Sequence, residues 1–197
     1  AAQSRAGSPL MESESIEKLH KLDDHAGAAS AGHVADARQL VDFARRQGQV
    51  NRLRFGEPID VEALTKDLTD HIQENTQRGG TRPYGAALLV GGIQNDEPRL
   101  FAADPSGTPN EWKATVIGGS DRDIQEFLED EWTEEVDLGT GLGLAARALR
   151  VANDELGPGE VSISTVTVED GYRALSVEEI EDVFAEAEID LSDEDDE

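Results

Sequence analysis

Ser30-Ala31-Gly32-His33-Val34-Ala35-Asp36-Ala37-Arg38-Gln39-Leu40-Val41-Asp42-Phe43-Ala44-Arg45 is the stretch on which the reading of this chain turns. A run of small, mostly apolar residues from Ala26 to Ala31 ends at Gly32. The apolar positions Val34, Ala37, Leu40, Val41 and Ala44 then recur at helical spacing. A buried strand feeding an amphipathic helix through a glycine corner is the reading these residues support. Working outward, the helix is expected to run over residues 34–54 and to stop at Phe55-Gly56-Glu57-Pro58. A second helix is expected over 61–78, with Asp60 as N-cap, Val61, Leu64, Leu68 and Ile72 as one apolar stripe, and Gly79-Gly80 as the stop.

The remaining elements follow the same logic. Short strands are expected over residues 10–14 and 25–31. Residues 84–93 form a strand whose Ala86-Ala87-Leu88-Leu89-Val90 core is apolar throughout, as a strand covered on both faces would be. Strands over 99–103 and 111–118 are joined by the turn-forming Asp104-Pro105-Ser106-Gly107-Thr108-Pro109, which points to an antiparallel meander. Helices return over 121–132, with Ile124, Phe127 and Leu128 inward, and over 138–153, with Leu142, Ala145, Ala146 and Leu149 inward. A strand over 161–168, a short one over 172–175 and a last helix capped by Ser176 and ending near Ala187 complete the order. Helix pairs flanking a run of strands argue for an α+β sandwich of antiparallel sheets with helices outside.

Composition narrows the function. The chain has 197 residues, enough for one domain with a substantial core, and no cysteine, which excludes a disulfide framework and a thiolate nucleophile or metal site. No apolar run approaches a membrane span and nothing at the start reads as a secretory signal, so the expectation is a soluble cytoplasmic protein without membrane contact. There are 43 acidic against 17 basic residues, a net charge of −26. Twelve of the acids lie in residues 178–197, yet without them the balance is still −14. Such a surface repels phosphate backbones, so no nucleic-acid partner is expected. Only Lys18, Lys21, Lys66 and Lys113 are lysines, a pattern similar to proteins that stay soluble in molar salt. The tail over 188–197, closing in Asp193-Glu194-Asp195-Asp196-Glu197, is expected to be disordered and solvated beyond a folded domain of residues 1–187.

The stretch 30–45 resembles the strand-to-helix junction of proteasome core-particle α-subunits, most nearly the archaeal ones. Two further strings in the same order carry the resemblance: Gly79-Gly80-Thr81-Arg82-Pro83-Tyr84-Gly85, and Arg99-Leu100-Phe101-Ala102-Ala103-Asp104-Pro105-Ser106-Gly107-Thr108 followed by Glu111-Trp112-Lys113-Ala114. The resemblance implies the four-layer αββα sandwich of the N-terminal-nucleophile hydrolase class, and a salt-adapted archaeal source. It also implies that the chain is N-terminally incomplete, lacking a gate segment, a first helix and two strands. It implies a non-catalytic subunit in a seven-membered outer ring that caps rings of catalytic β-subunits, gates the entrance and docks an activating ATPase. No cofactor is implied.

Within the resemblance, Ser15-Ile16-Glu17-Lys18-Leu19 matches the segment whose lysine receives the ATPase's C-terminal carboxylate, and Gly32 matches the small residue on the floor of the same pocket. An ammonium and a carboxylate in a partly desolvated cleft make a charge-assisted hydrogen bond. The plain alternatives are a solvated Lys18 paired with Glu14 or Glu17, and a Gly32 required by backbone conformation alone. The pocket's arginine would lie in the absent segment.

Other constellations read as structural. His20, Asp23, Asp24 and His25 have metal-ligand residue types, but strand alternation sends neighbours to opposite faces, and no metal site is expected. His33, Asp36 and Ser106 mimic a triad in composition, with Ser106 in a turn rather than a nucleophile elbow. Gly139-Thr140-Gly141-Leu142-Gly143 lacks the Lys-Ser/Thr of a phosphate loop and reads as a flexible helix start. Two rival functions stand beside the α-subunit: a catalytic β-like threonine peptidase of the same fold, and a salt-adapted binding module. The charge itself is testable. Lowering salt from about 1 M to about 0.1 M lengthens screening from about 3 Å to about 10 Å, so the melting temperature followed by circular dichroism should fall. A melting temperature indifferent to salt would remove self-repulsion from the account.

Overall fold

The structure is a computed structural model that describes residues 1–4, 10 and 16–189. The chain divides into two compact units, one formed by Leu19–Gly118 with Thr165–Arg173, the other by Ala1–Lys18, Gly119–Ser164 and Ala174–Glu197. In the first, five antiparallel strands run in sequence order across one sheet: β2 (Leu19–Asp23), β3 (Ala26–Gly32), β4 (Ala86–Gln94), β5 (Glu97–Ala103) and β6 (Pro109–Glu111). Strand β1 (Ala2–Gln3) belongs to the other unit. Helices α1 (Val34–Phe55) and α2 (Val61–Gln77) pack together on the sheet.

Helix α1 buries Ala37, Leu40, Val41, Ala44 and Gly48 along one stripe, while Val34, in its first turn, is 62% exposed rather than inward. Gly56 ends it in the left-handed region at φ 77°, its N–H donating to the Arg52 carbonyl at 2.9 Å. Helix α2 buries Val61, Leu64, Leu68 and Ile72 as its periodicity requires, and Thr65 joins them because its hydroxyl donates to the Val61 carbonyl at 2.8 Å. Asp60 occupies the N-cap position without a side-chain bond, and the helix already ends at Gln77, before the two glycines.

Strand β4 alternates instead of being buried on both faces. Ala86, Leu88, Val90 and Gly92 are buried with the helices, whereas Ala87, Leu89, Gly91 and Ile93 are half-buried. It turns into β5 through Asn95 and Asp96, both at positive φ, the twist a two-residue hairpin needs. The expected strand over 111–118 is also corrected. Pairing on β5 occupies Pro109–Glu111, where a proline without N–H suits the first position of an edge strand, and ends after Trp112 donates to the Leu100 carbonyl. Gly118 then leaves at φ 113°.

In the second unit, α3 (Asp121–Glu131) packs on α4 (Leu138–Ala152), where Arg147 reaches Glu131 at 2.9 Å and lies over the Phe127 ring. Asp137 caps α4 through the Thr140 N–H, so the glycine-rich run is the opening of a helix, and Gly143 is buried against Ala187. Helix α4 also packs on α5 (Val177–Glu186), which Ser176 and Glu179 begin with a reciprocal capping box. Ala146 joins Leu156, Val161, Ile163, Ile180, Val183 and Phe184 in one core, with Leu142 and Leu149 half-buried beside it, and α4 also buries Leu144 and Ala148.

The strand read over 161–168 is interrupted at the buried Ile163. Strand β7 (Val161–Ser162) pairs with β1, and β8 (Ser164–Thr167) pairs with β9 (Gly171–Ala174), so the change of partner breaks the strand. The strand expected over 10–14 lies outside the described residues except for Leu10, which is in an exposed turn. Ile189, assigned to the tail, donates its N–H to the Phe184 carbonyl and packs on the core; residues 190–197 lie outside the described set. No helix among the described residues is long and apolar enough to cross a membrane.

A Cβ at Gly92 would stand 2.5 Å from the His25 carbonyl oxygen and 2.8 Å from Val61 Cγ2. Gly92→Ala should therefore cost about 1–3 kcal/mol by overpacking the sheet against α2, read as a lower midpoint in urea at an unchanged slope.

Candidate functional site

The corner between β3 and α1 is built by two stretches far apart in sequence. Gly32 pairs with Ala86 at the end of β3 and has φ 104°, and a Cβ on it would stand 2.3 Å from the Gly85 carbonyl oxygen. Glycine is needed here twice, for its backbone angle and for the close approach. His33 next donates its N–H to that carbonyl at 2.8 Å, and its ring lies where a Gly85 side chain would be. His33 holds the N-cap position of α1 with no side-chain capping bond, and Gly32, His33, Val34 and Ala35 are all exposed. The corner thus presents an uncapped, electropositive helix start to solvent.

Asp36, in the first turn of α1, anchors the corner from beneath. Its side chain is only 8% exposed, and it takes two guanidinium bonds from Arg82, Nη1 to Oδ2 at 2.7 Å and Nη2 to Oδ1 at 2.8 Å. Oδ2 also accepts the Gly85 N–H at 2.8 Å. The Arg82 bonds, and after them the Gly85 N–H, hold the Asp36 carboxyl below the ordinary carboxylate value against the opposing effect of burial. Both residues lie in stretches that carry the family resemblance, yet nothing in the sequence pairs Asp36 with Arg82, because a separation of 46 residues has no periodic signature.

A second contact missed in the sequence stacks Phe43 of α1 on His71 of α2 at 4.1 Å and 7°, with His71 Nε2 3.2 Å from the Tyr84 hydroxyl. Burial lowers the His71 pKa.

Of the two residues singled out for partner binding, Gly32 sits at this corner. Lys18 is exposed on the segment that leads into β2, and the two fall in different compact units. The remaining constellations are committed elsewhere. Asp23 holds Arg52 through both oxygens at 2.9 and 3.0 Å, His20 meets the Ser30 hydroxyl at 3.1 Å, and His25 Nε2 meets the Ile59 carbonyl at 2.7 Å. Among the described residues no group of His, Cys, Asp or Glu could hold a metal ion. Ser106 bonds to Asp104 in its own turn, and Gly107 packs against the Thr69 carbonyl of α2, while Asp36 is taken by Arg82, so no triad forms.

The family model described as "Proteasome subunit" matches residues 1–167. The chain belongs to the proteasome subunit family. Its α+β fold is that family's. Among its relatives is the proteasome subunit alpha of Natronomonas pharaonis, 57% identical over 200 residues that cover 98% of this chain and 78% of the relative. The proteasome subunit alpha 2 of Haloferax volcanii is 58% identical, covering all of this chain and 79% of the relative. The proteasome subunit alpha of Haloquadratum walsbyi is 54% identical over the whole chain and 79% of its own length. These relatives are halophilic archaeal proteins, in keeping with the acidic, lysine-poor composition.

Because the folded-state pKa of Asp36 lies below the unfolded value of about 3.9, its contribution to stability is complete above that value. It disappears as pH falls through the lower folded value. Asp36→Asn should therefore destabilise the chain by about 1–2 kcal/mol at neutral pH, and the gap between variant and parent in urea titrations should close on acidification through the carboxylate range.

Proposed function

We propose that this chain is a non-catalytic α-type subunit of an archaeal 20S proteasome, working in the cytoplasm as part of a threonine-type endopeptidase complex. Seven copies form an outer ring on the inner rings of β-subunits, gate the axial entrance and dock an activating ATPase. The observation that carries this reading is the near-full-length match to relatives named as proteasome α-subunits, 54–58% identical over 96–100% of the chain. The corner at Gly32 supports the docking role. An exposed, uncapped helix start beside a residue with no side chain lets a partner's backbone approach and favours an anionic end group. In this reading the Lys18 ammonium binds the C-terminal carboxylate of the ATPase, and Gly32 is the small residue of the pocket floor.

The assembly is tested by the mass, from light scattering in molar salt, of the species that the chain forms in its own cells when tagged at the C-terminus. Seven copies of 21.3 kDa give a ring of about 150 kDa or more, and peptidase subunits should accompany it. A monomer without peptidase would overturn the reading. A particle whose peptidase activity is lost on blocking this chain's own N-terminal residue would favour the catalytic β-like alternative. In the assembled particle, Lys18→Ala should abolish stimulation of peptide hydrolysis by a synthetic peptide copying the C-terminus of the cell's activating ATPase, with the particle mass unchanged.

A further inference from the structure

We infer that Asp36 and Arg82 are positioning residues for partner docking: together they clamp the Gly85 peptide unit against Gly32 and so fix the shape of the pocket floor. The inference rests on the reading of Gly32 as that floor. A glycine at φ 104° has no side chain of its own to hold its conformation, so its geometry is set by what presses on it. What presses on Gly32 is the Gly85 carbonyl, 2.3 Å from where a Cβ would stand.

Gly85 is a glycine too, and it is gripped from both sides. Its carbonyl accepts the His33 N–H at 2.8 Å, and its N–H donates to Asp36 at 2.8 Å. Arg82 completes the clamp. It meets both Asp36 oxygens, which fixes the carboxylate plane, and a second bond from Nη1 to the Pro83 carbonyl at 3.0 Å ties the guanidinium back to its own strap, where Pro83 limits the backbone. Four residues, 82–85, therefore run as a braced strap from a charged pair to the floor. The carboxylate is 8% exposed although the guanidinium is 64% exposed. Its burial protects the pair from the screening that molar salt imposes on exposed charges. A docking partner meets a floor already in shape, so less of its binding free energy goes into ordering the site.

The test uses the assembled particle in molar salt and the synthetic ATPase C-terminal peptide, with stimulated hydrolysis of a fluorogenic substrate as readout. Asp36→Asn keeps the shape and an oxygen for Gly85 but loses the charged fork. It should raise the half-saturating peptide concentration about tenfold while the maximal stimulated rate and the particle mass stay as in the parent. Gly32→Ala perturbs the floor directly, and the double variant should be no worse than Gly32→Ala alone, since both act on one element.

Half-saturation unchanged in Asp36→Asn, or effects that simply multiply in the double variant, would overturn the inference. If Asp36→Asn does not assemble, Arg82→Lys replaces it: lysine keeps the charge without the fork, and here too an unchanged half-saturation would overturn the clamp. Lys18→Ala runs alongside. Should it leave stimulation intact, the docking reading itself falls and the clamp's role with it; should it abolish stimulation while both clamp variants bind normally, only the clamp's role fails.

Discussion

The peptide unit of Gly85 is held at both ends, its N–H by a buried carboxylate of α1 and its carbonyl by the first N–H after β3, and no atom fits between that carbonyl and Gly32. Much of the sheet unit follows from this constraint. Strand β4 begins one residue later, so holding Gly85 sets the register in which Gly32 faces Ala86 and Ala28 faces Val90. That register decides which side chains of β4 meet the helices. Leu88 and Val90 enter the core with Leu40, Leu64 and Leu68, and a slip of one residue would turn Leu89 inward in their place. The same contact fixes where α1 starts.

Charge is distributed with a corresponding economy. Against 43 acids the chain has thirteen arginines and four lysines, and several arginines sit where a planar fork can brace two elements. Arg52 closes the end of α1 on Asp23 of β2, Arg82 closes its start on Asp36, Arg99 of β5 meets both Glu62 of α2 and Glu111 of β6, and Arg147 of α4 meets Glu131 of α3. Exposed pairs of this kind contribute little individually, all the less in high salt. Asp23 and Asp36 differ because their carboxylates are buried. Each would be left without compensation if its arginine were removed. The two ends of α1 are thus pinned by the two pairs in which, among the described residues, an arginine meets a buried carboxylate.

The elements were legible in the sequence where periodicity and punctuation agree. The stripe of α2, that of α1 apart from the exposed Val34, the Gly56 stop, the Ser176 cap and the antiparallel order of the meander appear as read. Misreadings cluster where local pattern leaves the pairing partner open. The apolar run of β4 read as covered on both faces and alternates; residues 112–118 have strand-like composition and pair with nothing on β5 beyond Trp112; residues 161–168 read as one strand and exchange partners at Ile163. Of the candidate site, Gly32 was legible as a corner. The Asp36–Arg82 pair, the seat of the His33 ring on Gly85 and the Phe43–His71 stack were not, since each joins residues separated by a helix or more.

By itself, then, the sequence determined the order of the five helices, the acidic, lysine-poor composition, the lack of cysteine and, through three strings, the family, but not the strand Leu19–Asp23, which carries no alternating apolar pattern. These depend on residue type and on spacing within a single element, which the chain carries locally. The tertiary structure alone decided the sheet register, the face that β4 turns to the helices, and the clamp that gives Gly32 its shape. Such features depend on which distant groups come within hydrogen-bonding distance, and a buried carboxylate 46 residues from its guanidinium acquires that meaning only once the chain has closed around it.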